Sequence, residues 1–134
     1  MARFGHMALA FSLTASMGLF APGAMARAAF FSALDDVPVP PGFSERADLA
    51  TAFEGAPGRI LVAVAEGAGS AEDARAWAVS ALKGLGWSLS EADVGQAVLI
   101  RGRETLTLEA TPAGAGLTTL RVRVVVRPAP ADAE

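Results

Sequence analysis

The chain has 134 residues and a formal net charge of −3, with no Cys, no Tyr and a single His, His6. Without Cys it can form no disulfide, so any fold rests on its core alone. Beyond residue 28 the only Lys is Lys83 and there is no His, which removes most carriers of acid–base, nucleophilic and transition-metal chemistry.

Residues 1–28 read as a cleavable secretory signal. Arg3 supplies a positive start, Ala8 to Phe20 is an uncharged and mostly apolar run, and Pro22-Gly23 breaks it. Ala26-Arg27-Ala28 fits a small-residue cleavage site, with Ala24-Met25-Ala26 as the alternative. The apolar run is shorter than the roughly 20 residues a membrane-spanning helix needs. No Cys follows it, so no lipid attachment is expected, and no Arg-Arg pair marks twin-arginine export. The expected destination is the periplasm, with membrane contact only through the transient signal.

The mature chain divides into an extended Pro-rich arm (29–47), a domain (48–127) and a disordered tail (128–134). Pro38, Pro40 and Pro41 exclude regular helix or a central strand from the arm. Its apolar residues Phe30, Phe31, Leu34, Val37, Val39 and Phe43 are expected to pin it over the domain. A short strand at 49–54 and an apolar strand at 59–66 flank the turn Gly55-Ala56-Pro57-Gly58, which predicts a hairpin. The second strand is apolar on both faces, the mark of a central position.

Ser70 caps a helix over 71–84, with Glu72 and Asp73 in its first turn. Ala74, Trp77, Ala78, Ala81, Leu82 and Leu85 share one stripe, so Trp77 is expected in the core. Gly84 and Gly86 stop the helix, and Trp87 folds back on its end. A strand at 87–89, a polar loop at 90–95 and a strand at 97–101 follow. Around Gly102 two registers are open: Leu99 faces the core, or Val98 and Ile100 do. Strands at 105–111 and 120–127 alternate, with Leu120, Val122, Val124 and Val126 inward. The fold class expected is α+β: an antiparallel sheet of about five to six strands, order β-β-α-β-β-β-β, with one amphipathic helix on one face.

Few residues suggest chemistry. Asp35-Asp36 is an adjacent acidic pair, read as capping a turn before Pro38. No calcium loop, serine elbow or phosphate loop is present; Gly67-Ala68-Gly69-Ser70 lacks the required Lys and is followed by acids. We therefore expect no catalytic, metal or cofactor-binding residues. The charge distribution says more. Residues 29–96 carry net −6, and residues 97–127 carry net +3. A turn centred near Gly114 would set Arg121 opposite Thr107 and Arg123 opposite Thr105. Arg103, Arg121, Arg123 and Arg127 then form a basic stripe on the helix-free side. Such a stripe either keeps a strand face solvated or contacts an acidic partner. Nucleic acid is disfavoured by the acidic total and the lack of Tyr.

Two segments carry a resemblance. Ala33 to Gly42 contains a D-[LV]-P-x-x-P-G element, Gly58-Arg59-Ile60 opens a strand, and Leu85-Gly86-Trp87 ends the helix. With an R-x-x-E-x-L strand after them, these resemble an uncharacterised family of small exported proteins of alphaproteobacteria. The resemblance implies a compartment and a fold but no reaction. The functional expectation is a non-enzymatic periplasmic module that contacts a protein or envelope component through Arg103, Arg121, Arg123, Arg127, Asp35 and Asp36. A carrier of small apolar ligands, with space beside Ala74, Ala78 and Ala81, is the alternative. An enzyme using only Asp35, Asp36, Asp93 and Glu109 is a third.

Overall fold

The computed structural model describes residues 29–130. The expected signal at 1–28 and the last residues of the expected tail, 131–134, lie outside the described residues. Nine strands and one helix follow in chain order: β1 (Phe30–Phe31), β2 (Leu34–Pro38), β3 (Phe43–Glu45), β4 (Thr51–Gly55), β5 (Gly58–Ala68), α1 (Ala71–Gly84), β6 (Ser88–Asp93), β7 (Gln96–Arg101), β8 (Glu104–Pro112) and β9 (Leu117–Val126). Seven strands make one antiparallel sheet in the order β3-β5-β9-β8-β7-β6, and β4 also pairs with β5. β1 and β2 make a separate ladder. The fold is α+β, with the order β-β-α-β-β-β-β running from β4 to β9.

β5 is central, as its two apolar faces predicted: β9 lies on one side, and β3 and β4 share the other. One sheet face packs under α1. There Leu99, Leu106, Leu108, Leu120 and Val122 are fully buried and meet Ala78, Val79 and Leu82 of the helix. The register around Gly102 is settled: Leu99 is 0% exposed and Ile100 39%. Leu99 pairs with Leu106 across β7–β8, which places both on the helix side.

α1 begins as expected, with the Ser70 hydroxyl accepting from the Asp73 N–H at 3.0 Å. It ends in a Schellman turn: Trp87 N–H donates to the Leu82 carbonyl at 3.1 Å and Gly86 N–H to that of Lys83 at 3.3 Å. Trp87 and Leu82 are both in the core, the apolar contact that accompanies this cap. The stripe, however, is turned from expectation. Val79 is buried in it, while Trp77 is half-buried and Leu85 exposed. Trp77 sits at the margin of the core, where it lines a hollow with Pro40, Pro41 and Phe43 of the arm.

Three other expectations are corrected. The polar segment 90–95 is not a loop: β6 runs through Asp93 and turns back at Val94–Gly95. It is an edge strand, paired on one side, exposed along its whole length and bulged between Leu89 and Glu91. An edge with no buried face has no alternation to show, and charges there guard against edge-to-edge pairing. The β8–β9 turn centres on Ala115, not Gly114, because Gly114, Ala115 and Gly116 all take positive φ (79°, 51° and 73°). The register moves by two residues, so Arg123 faces Thr107 and Arg121 faces Glu109. Two is the period of the strand, so every side chain keeps its expected face. Finally, Asp35 and Asp36 lie within β2 rather than capping a turn.

The arm contains β1, β2 and β3, and it closes one end of the core. Phe31, Leu34, Val37 and Val39 are buried in the same cluster as the helix and sheet, while Phe30 points out. The Ser32 hydroxyl donates to Glu45 at 2.8 Å, tying the β1–β2 tip to β3. A short 3-10 turn (Ala47–Leu49) then crosses to β4, held by Arg46, which pairs with Asp48 at 2.9 Å and Glu66 at 3.0 Å. The hydrogen bond from Arg46 holds the Asp48 carboxyl below its ordinary value of 3.8. A lowered folded-state pKa stabilises at pH above 3.8, and the contribution is lost as pH falls through the folded value. In an NMR titration of the side-chain carboxyl, Asp48 is expected to titrate below 3.8 and to return towards 3.8 in Arg46→Gln. An unchanged midpoint in the variant would contradict the pairing.

Candidate functional site

The face opposite α1 is built by the outward residues of five neighbouring strands. β9 alternates, so burying Leu120, Val122 and Val124 turns Arg121 and Arg123 out. Arg127 follows on the same side. Arg103 leaves the β7–β8 turn directly across from it: Arg127 N–H donates to the Arg103 carbonyl at 3.0 Å, and Arg103 Nη1 to that of Arg127 at 3.4 Å. The arginines thus form two pairs, Arg103 with Arg127 at one end and Arg121 with Arg123 further along. The second pair lines a hollow of about 270 Å³ with Gln96, Thr107 and Glu109.

The described residues include eight arginines, and they divide cleanly. Arg46, Arg59, Arg75 and Arg101 each lie within ion-pair distance of a carboxylate. Arg103, Arg121, Arg123 and Arg127 take part in none of these pairs, although Glu109 stands opposite Arg121 in the ladder. A planar guanidinium with free donors is suited to bind carboxylate or phosphate oxygens through two hydrogen bonds at once.

Comparison with protein-family models, curated proteins and solved structures finds no match to this chain.

Asp35 and Asp36 do not join the arginine face. They belong to β2, which packs against α1, so they lie across the sheet from it. Asp35 is exposed; Asp36 pairs with Arg101. Arg101 is the residue whose role the sequence hid. Its Nη2 also meets Glu104 at 3.1 Å, its Nη1 donates to the Leu85 carbonyl at 3.3 Å, and its guanidinium carbon lies 4.3 Å from the Trp87 ring centre. Burial lowers its pKa, but the hydrogen bonds it donates to Asp36 and Glu104 outweigh that and raise it. The aspartate of D-V-P, the tryptophan of G-W and both charged residues of R-x-x-E thus meet in one cluster, which locks the arm to the helix end and the sheet. The three-residue spacing of Arg101 and Glu104 was the available signal.

The other acids considered for catalysis are dispersed. Asp93 ends β6 and accepts from the Val94 N–H at 2.8 Å, while Glu109 is on β8 beside Arg121, with Gln96 between the two. Of the small residues of α1, Ala78 is buried in the cluster it shares with the leucines of the sheet, while Ala74, also buried, lines a hollow with Trp77 and the arm. The larger hollows lie at the ends of the helix–sheet layer. One of about 620 Å³ is lined by Ala71, Glu72, Gln96 and Glu109 among others, one of about 360 Å³ by Glu72, Arg75 and Asp93 among others, and one of about 290 Å³ lies beside Trp77.

Sequence reading also missed the neutral part of the face. Phe53, Ile60, Val125, Thr105 and Ile100 are consecutive cross-strand partners from β4 to β7. They form an apolar row between the two arginine pairs, joined by Val62 and Val98. Phe53 is 58% exposed. The signal was the apolar outer face of β5, read as centrality alone.

Proposed function

We propose that this protein is an exported, periplasmic, non-enzymatic module that binds a protein or cell-envelope partner through the helix-free face of its sheet. The observation that carries the reading is the division of the arginines: among the described residues, Arg46, Arg59, Arg75 and Arg101 are paired with carboxylates, and the four on this face are not. Desolvating an unpaired guanidinium is costly unless the partner brings acceptors, so the face selects anionic groups. The signal-like segment 1–28 and the resemblance to exported proteins support the compartment.

The test is binding of the mature protein to envelope fractions as a function of salt. Binding is expected to weaken with ionic strength, because exposed charges are screened over about 8 Å at physiological salt. Arg121→Ser with Arg123→Ser is expected to reduce it by about tenfold or more, roughly 1.4 kcal/mol, while the melting midpoint stays within a few degrees. Undiminished binding by the double variant would overturn the reading.

A further inference from the structure

We infer that the partner taken by this face is an amphipathic helix of an acidic protein, its apolar stripe on the Phe53–Ile60–Val125–Ile100 row and its carboxylates on the two arginine pairs. The inference rests on the binding reading above and deepens it.

The argument is one of dimensions and charge. Arg123 on β9 and Arg127 just past its end are four residues apart, about 13 Å at 3.3 Å per residue. A helix is about 10–12 Å wide with its side chains, so one fits between the arginine pairs with both flanks in reach of guanidinium groups. The apolar row crosses five strands, about 19 Å at 4.8 Å per strand. That is the length of about 13 helical residues at 1.5 Å each. α1 already packs on the opposite face by the same physics, burying an apolar stripe on the flat side of the sheet. Basic charge at both edges of the row asks for carboxylates along both edges of the incoming stripe.

An anionic bilayer fits less well. A bilayer would cover the whole face, including the acids Glu91 and Asp93 on β6, whereas a helix on the row from β4 to β7 leaves β6 uncovered. The apolar side chains lie along the flat of a sheet, flanked by arginines, not at a protruding tip that could enter a membrane.

The experiment uses the mature protein and a fluorescein-labelled designed peptide of about 18 residues, five helical turns, with a Leu stripe and Glu along both edges. A peptide of the same composition in scrambled order and vesicles of phosphatidylcholine with phosphatidylglycerol serve as comparisons. Expected is saturable one-to-one binding of the striped peptide, measured by anisotropy. It should weaken about tenfold or more with Arg121→Ser/Arg123→Ser and equally with Phe53→Ser/Ile100→Ser, whose exposed positions leave folding intact. Amide shifts should gather at Val98, Ile100, Arg123 and Val125, while the indole signals of Trp77 and Trp87, on the helix side, stay in place. Equal binding of the scrambled peptide, preference for vesicles, indifference to Phe53→Ser/Ile100→Ser, or no saturable binding would each overturn the helix inference. If the striped peptide fails but Arg121→Ser/Arg123→Ser still weakens envelope binding, the helix inference falls and the binding module stands. If neither responds, both fall.

Discussion

Gly58→Ala is expected to lower the melting midpoint by about 10 °C or more, a loss on the order of 2–4 kcal/mol. Gly58 opens β5 with φ at 118°, a backbone conformation that L side chains rarely adopt. The space is also closed: a Cβ there would stand 2.1 Å from the Val126 carbonyl oxygen on β9. That oxygen belongs to the neighbouring backbone, so no side-chain rotation relieves the clash, and the β5–β9 ladder must part at this end. Gly42→Ala is the internal comparison. Gly42 also has positive φ, 79°, but an added Cβ meets nothing within 4 Å. It should cost only the backbone term, about 1 kcal/mol. Equal effects at the two positions would mean that the approach of Val126 contributes nothing.

Arg101→Met is expected to cost about 2 kcal/mol, from a cation–π contact and two charge-assisted pairs, discounted because Asp36 is half-exposed. It leaves Asp36 and Glu104 without their partner and frees the Leu85 carbonyl. The change is local and has a local readout. The Trp87 indole lies directly under the guanidinium, so its emission should shift to the red and become open to quenchers. Arg101→Lys should recover only part of the stability, since an ammonium can neither fork nor stack. A cycle with Asp36→Asn apportions the loss: additive effects would show that the Arg101–Asp36 pair contributes nothing to holding the arm.

Much of this architecture could be read from local chemistry. Ser70, Glu72 and Asp73 state where a helix starts, and Gly86-Trp87 states how it stops, because caps are made by residues adjacent in the chain. The alternation of β8 and β9 states which residues face inward, since a strand has only two sides. Even the misplaced turn centre cost nothing in facing, because the slip was a whole strand period. The failures lie where an element meets the margin of the core. β6 has no buried side, so its polarity looks like a loop; on α1, Val79 takes the inward position and Trp77 is left at the margin beside the arm.

The candidate site follows the same division. That Arg121 and Arg123 point away from the core was set by the sequence itself, through the alternation of apolar and charged residues on one strand. That they stand without a carboxylate partner among the described residues, across an apolar row drawn from β4, β5, β9 and β7 from Arg103 and Arg127, was decided only by the tertiary structure. So was the withdrawal of Asp36 into a clamp with Arg101, Glu104 and Trp87, residues 65, 68 and 51 positions further along the chain. Period and capping act over one or two turns of chain. Which strands become neighbours, and which charges find partners across them, depends on how the whole chain closes its core.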